Sequence, residues 1–575
     1  MRLRSIAVLA AVCALLGCDD TLVTDPSAPH VLPDDALPVG LVDDDGVAAP
    51  PRCAALPPAD DPLDVQTTFA TLRGVADDDG GGFSWKAIRF AAPPTGALRF
   101  HKPAAPACEP AVVDAGNDPP QCLQLGLDTD IVSGNEDCLF LNVFRPERQP
   151  GDPAQLPVLF WIHGGAQLLG SGHQATGFGN LYDGTALARE SRAIVVSINY
   201  RLGALGFLAH PALEDTAGVV GNWAHHDILS ALHWTNDNIA AFGGDPAHIT
   251  IFGESAGAHN VCVMIASPLA RGLFSGAIAE SGGCEVAPLE VREAQGEDTA
   301  AAVGCAGEDV ADCLRHVDAE AFVRSIAPVP PLVHVWWLPW GSTVDGEVLT
   351  DQPLDVIRRG EHNAVPTIVG SNREETNLFL GADVPLTCFD LRLQFEVLMS
   401  SSFATTALRD AAIDDILDTY DCSRRLITRD VLIEASTDLE FTCQARRLTR
   451  ALQTTALAPV WRYHFRDRAN VGVYAAMGAF HAWELAYVFG SFETLLYVPS
   501  PGERALSGVM QRAWGRFAAV GDPNHLDAPT TWLTADNDRT IAFDEDPFAA
   551  FGGAVDITMI DDPAPACDLW DRLTP

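Results

Sequence analysis

The stretch "HITIFGESAGAHNVCVMIA", His248 to Ala266, contains the pattern Gly-x-Ser-x-Gly with Ser255 at its centre. Its first five residues are rich in β-branched and apolar side chains, which predicts a short buried strand. The segment Ala256–Ala266 contains no proline and is mostly apolar, which predicts a buried helix. Strand, sharp turn and helix in this order are what a nucleophile elbow requires, because the turn exposes the serine oxygen.

The five-residue pattern is a weak signal by itself. A chain with this glycine and serine content contains it by chance in roughly one case in six. A glycine-rich turn without chemistry is the alternative interpretation. A nucleophilic serine also needs an oxyanion hole, a histidine and an acid elsewhere in the chain.

Other apolar runs near this stretch also predict buried strands. They are Pro157–Ile162, Ala193–Ile198, Phe274–Ala279 and Val365–Val369. A helical stretch, Asp227–Ala241, lies between two of the predicted strands. Strands that alternate with helices predict the α/β class, with a mostly parallel sheet covered on both faces. Active sites of such sheets lie at the carboxyl ends of the strands, where His163-Gly164-Gly165 and Ser255 both fall.

Longer motifs follow one another along the chain. They are "EDCLFLNVFRP" (Glu136 to Pro146), "NYRLGALGFL" (Asn199 to Leu208), "GNWAHHDILSALHWTNDNIAAFGGDPAHITIFGESAG" (Gly221 to Gly257), "SPLARGLFSGAIAESG" (Ser267 to Gly282), "VGSNREETNLFL" (Val369 to Leu380) and "MQRAWGRFAAVGDPN" (Met510 to Asn524). In this order they resemble the type-B carboxylesterases, the cholinesterase-like branch of the α/β-hydrolases. The resemblance covers about Leu63 to Leu573. It implies one large α/β-hydrolase domain with family-type insertions, where the length of 575 residues alone suggests several domains.

The resemblance implies a serine carboxylic-ester hydrolase that works through an acyl-enzyme with a Ser-His-Glu triad. Ser255 is the expected nucleophile, and its hydroxyl needs a base to accept its proton. His481, in "GAFHAWELAYVFG", resembles the family's catalytic histidine, although Ala482 stands where glycine is usual. Its expected task is to accept the serine proton and return it to the leaving alcohol.

The third member of the expected triad is Glu375. It is placed by similarity to an Asp-Glu-Gly stretch of the family, with Glu374 in place of the aspartate and Thr376 in place of the glycine. Glu374 is the alternative acid. Glu254, beside the nucleophile, is expected to be buried and structural, and Arg201 with Asp227 is expected to form an internal ion pair.

The expected oxyanion hole consists of the N–H groups of Gly165, Ala166 and Ala256. The family commonly has three glycines after the position of His163, whereas this chain has Gly164, Gly165 and Ala166. The alanine keeps its N–H group, so the substitution is tolerable if the φ angle there is negative.

The substrate is expected to be a neutral ester with a short- to medium-chain acyl group. Cholinesterases hold their cation against a tryptophan in the disulfide loop that closes at "EDC". The corresponding loop here, Cys122 to Cys138, has no aromatic residue, and Asp128, Asp130 and Glu136 offer only weak attraction for a cation. Trp336 and Leu338, in "HVWWLPWGSTVDG", stand where the family has its acyl pocket; a tryptophan cluster packed under the rim is the alternative.

Other activities remain open at this point. The same triad serves amidases, carbamate hydrolases and lactonases, which the sequence separates poorly from esterases. The fold also occurs in catalytically inactive adhesion proteins, but these usually lack a triad member. No cofactor or metal is expected, because His225, His226 and His259 have no partner ligands at a known metal spacing.

The N-terminus predicts export. Arg2 and Arg4 precede the apolar run Ile6–Leu16, and "LLGC" resembles a bacterial lipobox whose Cys18 receives lipid. The expected organisation is a signal peptide (1–18), an Asp/Pro-rich disordered tether (19–64) and the catalytic domain (65–575). The protein is therefore expected to be a cell-envelope lipoprotein, attached to the membrane through Cys18, or secreted. The net charge of −41 excludes nucleic acid as a partner.

Without Cys13 and Cys18, twelve cysteines remain, an even number that suggests disulfides in an exported protein. Spacing does not determine their connectivity. The resemblance implies the pairs Cys122–Cys138, Cys305–Cys313 and Cys443–Cys567. The remaining cysteines are assigned by elimination, as Cys53–Cys108, Cys262–Cys284 and Cys388–Cys422.

Overall fold

We describe the protein from a computed structural model. The structure describes residues 53, 56–77, 81–126, 131–173, 175–176, 179–214, 218–307, 309–325, 340–380, 387–398, 405–424, 428–469, 471–545, 555–564 and 566–573. The expected lipid site at Cys18 and the expected pocket residues Trp336 and Leu338 lie outside this part, as do Asp128 and Asp130.

The strands and helices are numbered in chain order. The strands are β1 Asp64–Gln66, β2 Thr71–Arg73, β3 Val75–Ala76, β4 Gly82–Arg89, β5 Val112–Asp114, β6 Gln124–Leu125, β7 Val132–Ser133, β8 Phe140–Pro146, β9 Leu156–Ile162, β10 Ala175–Thr176, β11 Gly179–Asn180, β12 Ile194–Ile198, β13 Gly244–Glu254, β14 Gly276–Glu280, β15 Thr367–Asn372, β16 Val460–Phe465, β17 Thr540–Glu545 and β18 Val555–Ile560. The helices are α1 Thr185–Ser191, α2 Gly203–Phe207, α3 Trp223–Asn238, α4 Ala256–Ala266, α5 Leu289–Ala302, α6 Val310–His316, α7 Ala319–Arg324, α8 Pro353–Arg358, α9 Cys388–Leu398, α10 Thr406–Thr419, α11 Thr428–Thr437, α12 Cys443–Thr455, α13 Gly472–Met477, α14 Leu485–Phe489, α15 Pro501–Val520 and α16 Cys567–Leu573.

The central sheet has eleven strands in the order β18-β17-β16-β15-β14-β13-β9-β12-β8-β4-β3. The strands from β12 to β17 in this order are parallel to their neighbours, and antiparallel pairs occur at both edges. The expected mostly parallel α/β sheet is therefore confirmed. Three parallel pairings, β9 with β13, β13 with β14 and β14 with β15, bring the loops after these strands to one edge.

The sheet separates two apolar cores. Side chains along β9 alternate between them: Val158, Phe160 and Ile162 pack on one face, and Leu159 and Trp161 on the other. Every residue of β9 is buried, which explains its continuous apolar sequence. Burying each large apolar side chain contributes about 1.5–3 kcal/mol, so the sheet is a rigid base for the loops at its edge.

The predicted elements around the elbow are confirmed with small shifts. Helix α4 has the predicted bounds, whereas strand β13 begins at Gly244 and thus before the predicted His248. Helix α3 begins at Trp223, ahead of the predicted Asp227, and a short 3-10 turn, Ile239–Phe242, follows it.

Contacts with the domain begin before residue 65, where the catalytic domain was expected to start. Cys53 forms a disulfide with Cys108, and its N–H group donates to the carbonyl of Thr68 at 3.2 Å. The Gln66 amide donates to the carbonyl of Pro57 at 2.7 Å. Part of the segment that we expected to be a tether is therefore attached to the domain.

The structure contains the six expected disulfides. The bond between Cys443 and Cys567 joins α12 to α16 across 124 positions of sequence. Beside it, the buried Arg446 guanidinium pairs with Asp568 and Asp571, each at 2.8 Å. The C-terminal helix is thus fixed to α12 by a covalent bond and by ion pairs.

None of the described helices combines the length and the apolar composition needed to cross a membrane.

Candidate active site

Ser255 occupies a sharp turn between β13 and α4. Its backbone has φ 59° and ψ −122°, a conformation that costs a residue with a side chain about 1–3 kcal/mol. Its N–H group donates to the carbonyl of Glu280 at 2.8 Å. A Cβ atom on Gly257 would lie 2.0 Å from the carbonyl oxygen of Ile162, and one on Gly253 would lie 2.6 Å from the same atom. Close packing on β9 therefore requires both glycines and holds the strained turn.

Glu375 and His481 are in direct contact. Glu375 begins a 3-10 turn shortly after β15, and its Oε2 lies 2.7 Å from Nδ1 of His481. The second carboxylate oxygen accepts the N–H group of Asn372 at 2.6 Å, and the His481 N–H group donates to the Glu375 carbonyl at 3.2 Å. These contacts fix the imidazole at its Nδ1 side.

Glu374, the alternative acid, binds the loop that carries His481 rather than the imidazole. One carboxylate oxygen accepts the N–H group of Ala479 at 2.8 Å, and the other pairs with Arg468. A Cβ atom on Gly478 would lie 2.8 Å from this carboxylate. The side chain therefore packs against the loop as well as binding it.

Glu254 lies on the opposite side of the imidazole. Its Oε1 is 3.0 Å from Nε2 of His481, and the rings of Phe441 and Phe379 flank the imidazole at 4.7 and 5.2 Å. The hydroxyl of Ser255 has no hydrogen-bond partner among the described residues. Glu254 is buried, as expected. Its contact with His481 was not predicted, although its position next to Ser255 in the Gly-x-Ser-x-Gly motif could have indicated it.

Several buried carboxyl groups surround this contact. Burial raises the pKa of Glu254 well above its usual range, and the carboxyl groups of Glu375 and Glu280 raise it further. Burial also raises the pKa of Glu484 in the same direction. Burial raises the pKa of Glu280 to about 8, although the indole of Trp514 donates to it at 2.7 Å. Burial thus disfavours the charged form of all three carboxyl groups.

The expected oxyanion donors have no partners within the part of the protein that the structure describes. The N–H groups of Gly165, Ala166 and Ala256 donate to no acceptor among the described residues. A Cβ atom on Gly164 would lie 3.1 Å from Cβ of Ser255, which places the loop against the nucleophile. Free backbone donors beside a nucleophile can bind a developing negative charge.

The conformation of this loop corrects one expectation. Ala166 has φ 56° and the following Gln167 has φ 61°, whereas we considered the alanine tolerable at negative φ. The left-handed region disfavours residues with a Cβ atom, so the loop needs support from its surroundings. Ala482, the other alanine in a family glycine position, also has a positive φ, 67°.

Thr376 replaces the glycine of the family's acid motif and makes contacts that glycine lacks. Its hydroxyl lies 2.7 Å from that of Ser436 and 3.2 Å from the carbonyl of Ile433, both on α11. The substitution thus ties the turn that begins at Glu375 to α11.

The remaining predicted residues have structural partners. Arg201 and Asp227 form the expected buried ion pair, 2.7 Å apart. Glu136, which we expected to attract a cation weakly, forms an ion pair with Arg99 at 2.5 Å, so its charge is already matched. The described residues contain no cluster of three or more side chains that could hold a metal ion.

Comparison with known proteins identifies the family. The sequence profile of the carboxylesterase family matches residues 61–549. A para-nitrobenzyl esterase of Bacillus subtilis is 33% identical over 480 residues, which cover 80% of this chain and 90% of that protein. A bile salt-activated lipase of Mus musculus is 35% identical, over 73% of this chain and 72% of that protein.

Solved structures give the same result. A structure of PNB esterase superimposes with a TM-score of 0.72 at 30% identity, and covers 89% of this chain and 99% of its own. A structure of a thermophilic PNB esterase has a TM-score of 0.71 at 29% identity, with the same coverage. The family match, these relatives and the fold therefore agree: the chain belongs to the carboxylesterase family of the α/β-hydrolases and is an ester-hydrolysing serine hydrolase.

Proposed function

We propose that the protein hydrolyses neutral carboxylic esters with short- to medium-chain acyl groups through an acyl-enzyme on Ser255. One observation carries the proposal. The strained Ser255 directly follows Glu254, whose carboxyl group lies 3.0 Å from His481, and His481 in turn contacts Glu375.

In the first step, Ser255 Oγ attacks the ester carbonyl and transfers its proton to Nε2 of His481. The carbonyl oxygen becomes an oxyanion, and the free N–H groups bind it. Glu375 accepts the Nδ1–H proton in a hydrogen bond and stabilises the imidazolium. When the intermediate collapses, the C–O bond to the alcohol breaks, and the histidine returns the proton to the leaving oxygen.

In the second step, water attacks the acyl-enzyme. His481 accepts a proton from the water, and the same N–H groups bind the second oxyanion. The bond between the acyl carbon and Ser255 Oγ then breaks, and the serine regains its proton. The products are the acid, the alcohol and the unchanged enzyme.

The substrate range follows from the surroundings of the imidazole. Phe379 and Phe441 offer apolar surface beside it, which suits an uncharged ester. The loop closed by Cys122 and Cys138 has no aromatic residue to hold a cation, and Glu136 is paired with Arg99. Trp336 and Leu338 remain the proposed limit on acyl length.

A panel of p-nitrophenyl esters from acetate to laurate, assayed beside the anilides of the same acids, tests the proposal. We expect the highest kcat/KM for the short and medium esters and little anilide hydrolysis. Ser255→Ala, His481→Ala and Glu375→Gln should each lower kcat by several orders of magnitude without unfolding the protein, because the three act as a unit. Full activity in Ser255→Ala would end the proposal, and faster anilide than ester cleavage would favour an amidase.

We also propose that the protein is exported and anchored by lipid on Cys18. Six disulfides favour an oxidising compartment. The wild-type protein should partition with membranes, and Cys18→Ser should release or mislocalise it. Recovery of wild-type protein entirely in the medium, with an unmodified N-terminus, would reject the anchor.

A further inference from the structure

We propose that Asn260 is a positioning residue. It keeps the N–H groups of the expected oxyanion hole in place relative to Ser255, and this inference rests on the proposed function. Asn260 lies one turn after Ala256 on α4 and is completely buried. The helix carries one expected donor, and the loop from His163 to Gln167 carries the other two. The side chain of Asn260 connects the helix to Gln167, at the end of that loop.

The connection to Gln167 consists of side-chain hydrogen bonds. The Gln167 amide Nε2 donates to Oδ1 of Asn260 at 2.8 Å and lies 3.5 Å from the carbonyl of Ala256. The Asn260 amide lies 3.5 Å from Oε1 of Gln167. Gln167 is 1% exposed, so water does not replace these partners when they are lost.

The start of the loop has a support of its own. The hydroxyl of Tyr200 donates to the carbonyl of His163 at 2.7 Å, and the rings of these two residues are stacked with their centres 4.3 Å apart. The loop is therefore fixed at His163 by Tyr200 and at Gln167 by the buried amide of Asn260.

The loop needs this support because Ala166 and Gln167 both have left-handed backbones, at φ 56° and φ 61°. Residues with a Cβ atom favour other conformations. Relaxation of either residue would turn the N–H group of Ala166 and change its direction relative to Ser255. Donors beside a nucleophile act only when they point at the place where the oxyanion forms.

His225 helps to fix the orientation of the Asn260 amide. His225 Nε2 lies 3.1 Å from Oδ1 of Asn260 and 3.2 Å from the hydroxyl of Ser342. Burial lowers the pKa of His225 to about 3, so the ring is neutral and can donate from Nε2. The Ser342 hydroxyl also lies 2.7 Å from Nε2 of His259. Gln167 Nε2 and His225 Nε2 both donate to Oδ1 of Asn260, and these two donors determine which way the amide faces.

Asn260→Leu tests the inference, because leucine has a similar volume and no hydrogen bonds. We expect kcat to fall by about 10- to 100-fold, which is no more than the fall in kcat when a whole oxyanion donor is removed. KM should stay within about threefold of the wild-type value. The inhibition constant of a trifluoromethyl ketone, which forms an oxyanion on the serine, should rise by the same factor as kcat/KM falls.

Asn363→Leu is the matched control. Asn363 is also buried, and its amide donates to the carbonyls of Met264 and Ser267, at 2.9 and 2.8 Å, at the far end of α4. Among the described residues it makes no hydrogen bond to the loop from His163 to Gln167. The control should lose a similar amount of thermal stability while kcat and the inhibition constant stay close to wild type.

A double mutant identifies the route of the effect. If Asn260 acts through Gln167, Asn260→Leu combined with Gln167→Ala should lose no more kcat than the worse single variant. The inference is overturned if Asn260→Leu matches the control in kcat and inhibition constant, or if its loss lies wholly in KM. An inactive wild type that an organophosphate does not label would instead overturn the proposed function.

Discussion

Nε2 of His481 lies 3.0 Å from Oε1 of Glu254, while Nδ1 of the same ring lies 2.7 Å from Oε2 of Glu375. The imidazole is thus held between two buried carboxyl groups, and in this structure its reactive nitrogen faces a carboxyl group beside the serine. The imidazolium that forms during the reaction can gain stabilisation from both sides, provided that Glu254 is ionised.

Glu254→Gln should therefore lower kcat/KM by about tenfold above neutral pH, because it removes a charge that stabilises the imidazolium. Burial raises the pKa of Glu254, so its carboxylate appears only as pH rises above the usual carboxyl range. As pH rises, this ionisation should raise kcat/KM of the wild type, and the variant should lack this increase. Profiles of kcat/KM from pH 5 to 9 that differ only by a constant factor would contradict the assignment.

Glu374→Ala should lower kcat by about tenfold or more with little change in KM, since small displacements of a catalytic group have large effects on rate. The carboxylate binds the N–H group of Ala479 at 2.8 Å, just before His481. Glu374→Gln keeps an acceptor and should lose less. The control is Glu361→Ala, which removes an exposed carboxylate paired with Arg359 and should leave kcat unchanged. Equal effects of Glu374→Ala and the control would refute the role.

The free energy of unfolding should fall less steeply with rising pH in Asp467→Asn than in the wild type. Burial raises the pKa of Asp467 to about 8, against opposing hydrogen bonds from Tyr487 and Glu545. The folded state therefore holds this proton between about pH 4 and 8 while the unfolded chain releases it. The stability from this group is complete below about pH 4 and is lost as pH rises through about 8.

The measurement for Asp467 is the urea midpoint and slope at intervals from pH 5 to 8. Asparagine resembles the protonated acid and can still accept the N–H group of Glu545, which donates to Asp467 at 3.0 Å. The variant should reduce the fall in unfolding free energy by up to about 1.4 kcal/mol per pH unit. Asp355→Asn, at an exposed carboxylate, should leave the slope as in wild type. An unchanged slope in Asp467→Asn would count against the raised pKa.

Butyrylcholine and its uncharged isostere 3,3-dimethylbutyl butyrate should be hydrolysed with kcat/KM values within about tenfold of each other. The two esters share the acyl group and differ in the charge of the alcohol. A hundredfold preference for the cation would correspond to about 2.7 kcal/mol of selective binding and would reveal an aromatic cation site that the sequence did not predict.

The elements that depend on short stretches of sequence could be predicted. The apolar run before Ser255 and the glycines around it specify β13, the turn and α4, because packing on β9 leaves no room for a Cβ atom. Distant contacts that the family resemblance did not imply could not be predicted. His481 meets Glu254 across 227 positions, and Gln167 meets Asn260 across 93. Such pairs depend on the sheet order, which periodicity does not reveal.

The attachment of the C-terminal helix has a consequence for biosynthesis. Cys567 bonds to Cys443 at the start of α12, and Phe441, two residues earlier, contacts the imidazole of His481. A nascent chain cannot close this bond until Cys567, 124 positions after Cys443, has been synthesised and both thiols have been oxidised. The wall of the site beside the histidine is thus completed long after Phe441 itself is made, which favours activity in the compartment where the disulfides form.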